Sequence, residues 1–386
     1  MKGTPGAHEA LRRGVRQVCA RFPNEYWRRL DAERRYPQEF VAVMTEAGYL
    51  AALVPEEYGG MGLDLSAACA ILEEVNSSGA NAGPAHAQMY TMGTLLRHGS
   101  KEQKRKYLPG IASGELRLQA FAVTEPEAGT DTTAIRTTAA REGDHYVVSG
   151  RKIYISRVEQ SDLMILLART TPVDEVEKRS WGLSVLLVDL REAVGDGLTV
   201  EPRRVMMNNA TNGLVFENLR VPAENLVGEE DEGFRYVLDA MNAERILIAA
   251  ECIGDGRFFV EKSTERAKER EVFGGPIGRN QGVQFPIAGA YAHVEAASLM
   301  VEKAAALFDR GEPCGAEANL AKLLAADASW EAANAAVQTF GGYGFDAEYD
   351  VERKFRETRL YQVAPISTNL ILAHLAQHVL GLPRSF

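Results

Sequence analysis

Apolar positions recur at helical spacing at both ends of this chain and at strand spacing in its middle. Up to about residue 119, "YPQEFVAVMTEAGYLAALV" places apolar side chains every three or four residues and stops at the Pro- and Gly-rich "PEEYGGMG". "SAACAILEEVNSSGA" and "SKEQKRKYLPGIASGE" continue that period, with "KEQKRK" read as a solvated helix face. From 120 to 231 the texture changes: "DHYVVSGRKIYIS", "SDLMILLART", "GLSVLLVDL", "GLTVEPRRV" and "GLVFENLRVP" are short strand-like runs divided by Gly, Asp and Pro. Several short strands so closely spaced suggest a barrel or sandwich, and "TPVDEVEKRSW" reads as a charged loop between two of them. From 232 to 386 the helical period returns. "GFRYVLDAMNAERILIAAECIGDGRFFVEKSTERAKER" is long enough for one helix or two, and "VEAASLMVEKAAALFDR" and "EANLAKLLAADASWEAANAAVQTF" are alanine-rich and amphipathic. Helices of that length pack as a bundle. The expected fold is therefore α+β and multidomain: an N-terminal helical domain (1–119), a middle β-barrel or sandwich domain (120–231) and a C-terminal helical bundle (232–386). The order is not the βαβ alternation of a dinucleotide fold, no GxGxxG follows a strand, and there is no P-loop.

Composition narrows the partners. The 386 residues are 46% hydrophobic and 25% charged, ordinary for a folded chain of this length, and the net charge of −10 gives no support for nucleic acid or an anionic membrane as partner. The four cysteines (Cys19, Cys69, Cys252, Cys314) lie far apart without a CxxC pair, which suits a reducing compartment and predicts no metal site; the seven histidines form no HExxH. There is no apolar run long enough to span a bilayer, and "MKGTPGAHEALRRGVRQ" does not read as a signal peptide, so a cytoplasmic location is expected.

Three stretches carry candidate chemistry. In "MNAERILIAA", Glu244 shares a helix face with Val237, Ala240, Met241, Leu247, Ile248 and Glu251, five of them apolar. A carboxylate on such a stripe is costly unless it is paired, neutralised or used. It is either a structural group paired with an arginine of another helix or a functional acid; the adjacent Arg245 points roughly 100° away and is not the obvious partner. "FAVTEPEAGTD" joins a short strand, a Pro turn and a small-residue loop, either a plain turn or a nest of backbone N–H groups facing a ring edge or phosphate. "QTFGGYGFDAEYDVERKFRE" holds three glycines in four residues between helical stretches, either glycine caps or a close backbone approach to a cofactor.

Taken together on this layout, these segments resemble the acyl-CoA dehydrogenase family over nearly the full chain. "PEEYGGMGLD", "KEQKRKYLP", "AVTEPEAGTD", "GRKIYIS", "VPAENLVGEEDEGF", "EREVFGGPIGRNQGVQF" and "GGYGFDAEYDVERKFRE" occur in family order. The resemblance implies a C-terminal four-helix bundle, a homotetramer or homodimer, and FAD held between the β domain and that bundle, its adenosine end reaching a neighbouring subunit. By position Phe121, Val123, Thr124, Gly129 and Thr130 would edge the flavin and pyrophosphate. Tyr154 stands where tryptophan usually faces the isoalloxazine, and Ser156 replaces the usual threonine near N5; both substitutions keep an aromatic face and a hydroxyl donor. Arg270, Phe273 and Gln281, with Gln338, Gly341 and Gly342, match positions that contact FAD across the subunit interface, Arg270 having the forked donors that suit pyrophosphate. Ser367 and Asn369 also fall at cofactor positions, and Thr130, Met241 and Arg245 at substrate positions. Acyl-CoA as substrate and an electron-transfer flavoprotein as electron acceptor are implied in the same way.

The family removes the α proton of an acyl-CoA thioester with a glutamate while a hydride leaves Cβ. In most members that glutamate lies in a "YEGT" segment near the C-terminus. Here the segment is "LYQVAPIST", and alignment on Tyr361 and Ser367 puts Pro365 at the glutamate position. Members resembling the isovaleryl and long-chain branches carry the base on the first long helix of the C-terminal domain, in a Glu-Arg followed by small and apolar residues. "NAERILIAA" fits that pattern, so the resemblance gives Glu244 the role of base and Arg245 the family arginine beside it; an apolar pocket would move the carboxyl toward the working range of a base. Pro365 also lacks the backbone N–H that helps polarise the thioester oxygen in the family. Two other readings stay open: a flavin-dependent monooxygenase or acyl-CoA oxidase on the same scaffold, against which the intact Glu244 and "TEPEAGTD" argue, and a non-catalytic acyl-CoA-binding subunit, which Pro365 keeps in play.

Overall fold

The computed structural model describes residues 8–384. In chain order the regular elements are helices α1 (Glu9–Cys19), α2 (Asn24–Glu33), α3 (Gln38–Glu46), α4 (Leu65–Ser77), α5 (Gly83–His98) and α6 (Lys101–Ser113). Strands β1 (Leu118–Ala122), β2 (Thr138–Glu142), β3 (His145–Ser156), β4 (Leu163–Arg169) and β5 (Leu183–Asp189) follow, then the short helix α7 (Leu190–Ala193). Strands β6 (Leu198–Pro202), β7 (Thr211–Pro222) and β8 (Leu226–Val227) lead to helices α8 (Gly233–Glu269), α9 (Gln281–Asp309), α10 (Gly315–Phe340), α11 (Val351–Thr358) and α12 (Thr368–His374). A helical N-terminal region, a β middle and a helical C-terminal region are what the hydrophobic pattern predicts. The residues gather into two compact units, one of Arg34–Leu63 with Gly83–Met241, the other of the chain up to Glu33, Asp64–Ala82 and the chain from Asn242 onward.

The first unit is built on one sheet of order β6-β7-β3-β2-β4-β5-β8, with β1 parallel to β4 beside the point where β2 leaves it. The unbroken apolar run of β4 is explained by burial on both faces. Leu163, Ile165 and Leu167 pack with Met92 and Leu95 of α5 and Leu108 and Ile111 of α6. Met164, Leu166 and Ala168 pack with Tyr146 and Val148 of β3 and Leu214 and Phe216 of β7. Full burial of each such aliphatic side chain stabilises by about 1.5–3 kcal/mol. Three local features depart from the sequence pattern. The helix expected through "YPQEFVAVMTEAGYLAALV" ends at Glu46, because Gly48 takes a left-handed conformation (φ 80°) and turns the chain into a short 3₁₀ segment. The "KEQKRK" face is solvated except at Gln103, which is buried and completes a capping box with Ser100. Strand β2, "TAARE", was invisible to the periodicity because only Ala139 of its residues is buried.

Helix α8 runs unbroken for 37 residues, and its part from Asn242 onward, which belongs to the second unit, passes two glycines. Those glycines permit close packing: a Cβ at Gly254 would lie 2.5 Å from the Glu73 carbonyl oxygen of α4, and one at Gly256 2.6 Å from Val294 of α9. A buried ionic network ties α11 to α8, with Lys354 bonded to Asp255 (2.6 Å) and Glu357 (2.9 Å) and Arg353 to Glu357 (3.1 Å) and Asp350 (3.2 Å).

Candidate functional site

In the sheet unit the candidate residues Phe121, Val123, Thr124, Gly129, Thr130, Tyr154 and Ser156 lie on β1, the loop after it and the end of β3, and the start of the loop is bonded to β3. The Thr124 carbonyl accepts the Ile153 N–H (2.9 Å), and the Lys152 ammonium donates to the Val123 carbonyl (2.9 Å) and to Glu125 Oε1 (2.9 Å). Glu125 in turn accepts the backbone N–H of Arg136 through Oε2 (2.6 Å) and of Thr137 through Oε1 (2.9 Å). One buried ion pair thus clips both ends of the loop from Val123 to Thr137 against β3. Gly150 permits it, because a Cβ there would lie 2.6 Å from the Thr137 Cα. Burial pushes the Lys152 pKa down to about 8, against the pull of Glu125. Burial pushes the Glu125 carboxyl up, but Lys152 and the two N–H donors outweigh it and hold the acid below its ordinary value.

The register of β3 on β7 slips between Lys152 and Ile155. Within that bulge Tyr154 is left-handed (φ 59°) and its side chain is 62% exposed. Bulges of this kind re-aim side chains, and a non-glycine residue in this region is strained. Phe121 is half-buried, edge-on to Tyr90 at 5.5 Å, while Gly129 and Thr130 are exposed at the loop tip, where a Cβ on Gly129 would meet nothing within 4 Å. Ser156 is half-buried and accepts a hydrogen bond from Asn209 Nδ2 (2.8 Å).

Glu244 lies about three turns into α8 on the face that the sequence pattern singled out, and it is only 6% exposed; Leu247, Ile248 and Glu251 of that face are buried and Met241 is half-buried. Arg245 is half-buried and donates to Asn242 Oδ1 (3.0 Å); burial lowers its pKa against the opposing field of Glu244. A second cation in the field of Glu244 is Lys322 of α10, fully buried, whose ammonium donates to the Tyr361 carbonyl (2.5 Å) and the Ile366 carbonyl (2.8 Å). It therefore holds both ends of the segment containing Pro365. Burial lowers the Lys322 pKa. Glu251, the other acid of the face, takes the Tyr361 hydroxyl (3.3 Å), and Asn76 donates to that hydroxyl and to the Glu251 carbonyl (3.1 Å each), a structural assignment for that acid.

Six further candidates form an exposed group at the far end of α8. Arg270 closes the helix and Gln281 opens α9, with Phe273 between them at φ 52° and 96% exposed. Gln338, Gly341 and Gly342 lie at the end of α10, all exposed. The two segments are adjacent because Arg266, one turn before Arg270, lies over the rings of Tyr343 (4.7 Å), Phe340 (5.5 Å) and Tyr349 (5.8 Å). Ser367 caps α12 by accepting the Leu370 N–H (3.3 Å), and Asn369 is exposed. Among the described residues the cysteines are buried and form no disulfide, no acidic, His or Cys cluster could hold a metal, and no helix is long and apolar enough to cross a membrane.

Sequence reasoning missed Glu125, Lys152, Asn209 and Lys322. Two of them carried a signal. Lys152 has the parity of Tyr146 and Val148 in β3, and Lys322 falls in the small-residue stripe Ala318, Ala321, Ala325, so each is a charge at an inward position. Nothing local marks Asn209.

Models of the acyl-CoA dehydrogenase N-terminal, middle and C-terminal domains match residues 5–115, 120–219 and 231–380. The chain is 35% identical over 381 residues to the acyl-CoA dehydrogenase FadE12 of Mycobacterium tuberculosis, covering 98% of this chain and 97% of that protein. It is 35% identical over 351 residues to an acyl-CoA dehydrogenase of Bacillus subtilis, 90% of each. The solved structure of a glutaryl-coenzyme A dehydrogenase with glutaryl-CoA superposes with a TM-score of 0.91 at 31% identity, covering 100% of this chain and 98% of that one.

Proposed function

The chain belongs to the acyl-CoA dehydrogenase family, and from that membership we propose that it binds FAD and converts an acyl-CoA thioester to the 2-enoyl-CoA, with Glu244 as the base. The residues at the cofactor positions fit the group. A phosphate or ring edge can reach the backbone at Gly129, where a side chain would meet nothing, and Tyr154 is exposed two residues before the half-buried Ser156 on the same strand. When bound, FAD supplies the acceptor for the hydride that leaves Cβ.

The protein's own part is to hold the loop and move the proton. The Lys152–Glu125 pair fixes the Val123–Thr137 loop before any ligand arrives, so little ordering cost falls on binding. Glu244 takes the α proton onto its carboxylate. The observation that carries this assignment is a carboxylate on a buried, mostly apolar helix face while the other family position for a base is a proline, which has no titratable group. Arg245 and Lys322 are the two cations in the field of that carboxylate. Lys322 also sets the path of the Tyr361–Ile366 segment, which bears on how the thioester oxygen is held once the proline has removed one N–H.

Thr130, Met241 and Arg245 contact the substrate in this reading. An electron-transfer flavoprotein takes the electrons, and the exposed Arg270, Phe273, Gln281, Gln338, Gly341 and Gly342 reach FAD of a second copy in a homo-oligomer, with Ser367 and Asn369 completing the cofactor contacts. The deciding experiment is anaerobic mixing of the purified protein with acyl-CoAs of varied length and branching. Loss of flavin absorbance with at least one thioester supports the reading. A colourless protein that binds acyl-CoA without reconstituting with FAD overturns it.

A further inference from the structure

Ser156 differs from the family's usual threonine by one methyl group, and that methyl has a physical job. A β-branched side chain is nearly fixed at χ1, so a threonine hydroxyl is aimed by its own backbone. A serine hydroxyl chooses among three rotamers, and its O–H rotates freely. Here the freedom is removed from outside. Asn209 Nδ2 donates to Ser156 Oγ (2.8 Å), and Arg157 Nη2 donates to Asn209 Oδ1 (2.7 Å). The amide cannot be turned the other way round: arginine has only donors, so the atom facing it is the carbonyl oxygen and the atom facing Ser156 is the NH₂. Arg157 is itself buried and left-handed (φ 60°), and its N–H bonds the Ala210 carbonyl (2.8 Å) next to Asn209. Its carbonyl accepts the Ser161 hydroxyl (2.7 Å). With one lone pair of Oγ engaged by a donor, the serine proton cannot point at Asn209. Among the described residues no acceptor takes it.

We propose that Asn209 is a positioning residue which, braced by Arg157, turns the Ser156 hydroxyl into a dedicated outward donor and so replaces the methyl that fixes threonine elsewhere in the family. This rests on the reading that Ser156 contacts the flavin. The donated bond from Asn209 also polarises the O–H and makes it the stronger donor.

The test reads FAD affinity of the apoprotein by quenching of flavin fluorescence, with circular dichroism confirming the fold of each variant. Ser156→Ala removes the donor and is expected to weaken FAD by about 2- to 10-fold, the span of one net hydrogen bond. Asn209→Ala frees the hydroxyl and is expected to weaken FAD within the same range. Adding Ser156→Thr to Asn209→Ala should return affinity to within about 2-fold of wild type, because the methyl then does the aiming. Asn209→Asp is the sharpest variant. The carboxylate keeps its bond to Arg157 but accepts the serine proton, so it should weaken FAD at least as much as Ser156→Ala, and Ser156→Thr should not rescue it. If Ser156→Ala weakens FAD while Asn209→Asp binds as wild type, the role of Asn209 is overturned and the flavin contact stands. If Ser156→Ala leaves FAD affinity unchanged, the contact itself fails and the inference with it.

Discussion

Replacing Lys152 by methionine tests whether a single buried ion pair holds the cofactor loop. Methionine keeps the length and most of the volume of the lysine stem, so packing changes little. What disappears is the ammonium, and with it the bonds to Val123 O and Glu125 Oε1, 2.9 Å each. Removing one partner of a buried pair costs about 3–5 kcal/mol, chiefly by stranding the other charge. Glu125 retains the N–H groups of Arg136 and Thr137, so the lower end applies, about 3 kcal/mol. That is about 10²-fold in the local opening equilibrium. Hydrogen exchange at the Arg136 and Thr137 amides reads that opening directly, without requiring the whole chain to unfold in one step. Exchange there should accelerate about 10²-fold in Lys152→Met, with the β4 and β5 amides unchanged. In a cycle with Glu125→Gln the two changes should be non-additive by about 1–3 kcal/mol. An acceleration below about 5-fold, or additivity within about 0.5 kcal/mol, refutes the clip.

The acid limb of stability should carry the same pair. Glu125 is held below its ordinary value of 4.5, so its contribution is present above that pH and is lost as pH falls through the folded-state value; the gap in urea midpoint between wild type and Glu125→Gln should narrow below pH 4.5, and a gap that widens there contradicts the sign. Arg270→Ala removes an exposed charged donor, so helicity should be unchanged while FAD binds about 10- to 150-fold more weakly, the worth of a hydrogen bond to a charged group; full FAD retention in a protein verified as monomeric contradicts the cross-subunit role. Pro365→Gly restores an N–H at a position with no titratable group, so activity per bound flavin should fall by less than about 10-fold; a loss of several orders with FAD still bound would give the proline a role of its own.

The helix and strand order was legible because the apolar periods are strong: the β4 and β5 runs read directly from the chain, while the α8 stretch read as helical but left one helix or two open. Strand β2 was not, since its neighbours bury one residue of five. The C-terminal end of α3 depended on one left-handed glycine. Glu244 was legible as an anomaly, a charge in an apolar stripe. The groups that support the loop and Ser156 were not, for a physical reason. Lys152, Glu125 and Asn209 lie 27 to 84 residues from one another in sequence, and their meaning is a geometry of hydrogen bonds that only the folded sheet assembles. Lys322 reaches the Tyr361–Ile366 segment across about 40 residues in the same way.

The assignment of the base is most directly tested by Glu244→Gln, assayed by anaerobic stopped-flow reduction with the best thioester found and normalised to bound FAD. Glutamine preserves the volume and most hydrogen bonding of this buried side chain, so the variant should fold, stay yellow and bind acyl-CoA. It should lose flavin reduction by about 10⁴-fold, the upper end for a general base, because the hydride cannot leave Cβ while the α proton has no acceptor. Reduction at a rate near that of wild type, whatever the stability of the variant, would contradict the account and leave Glu244 a structural acid.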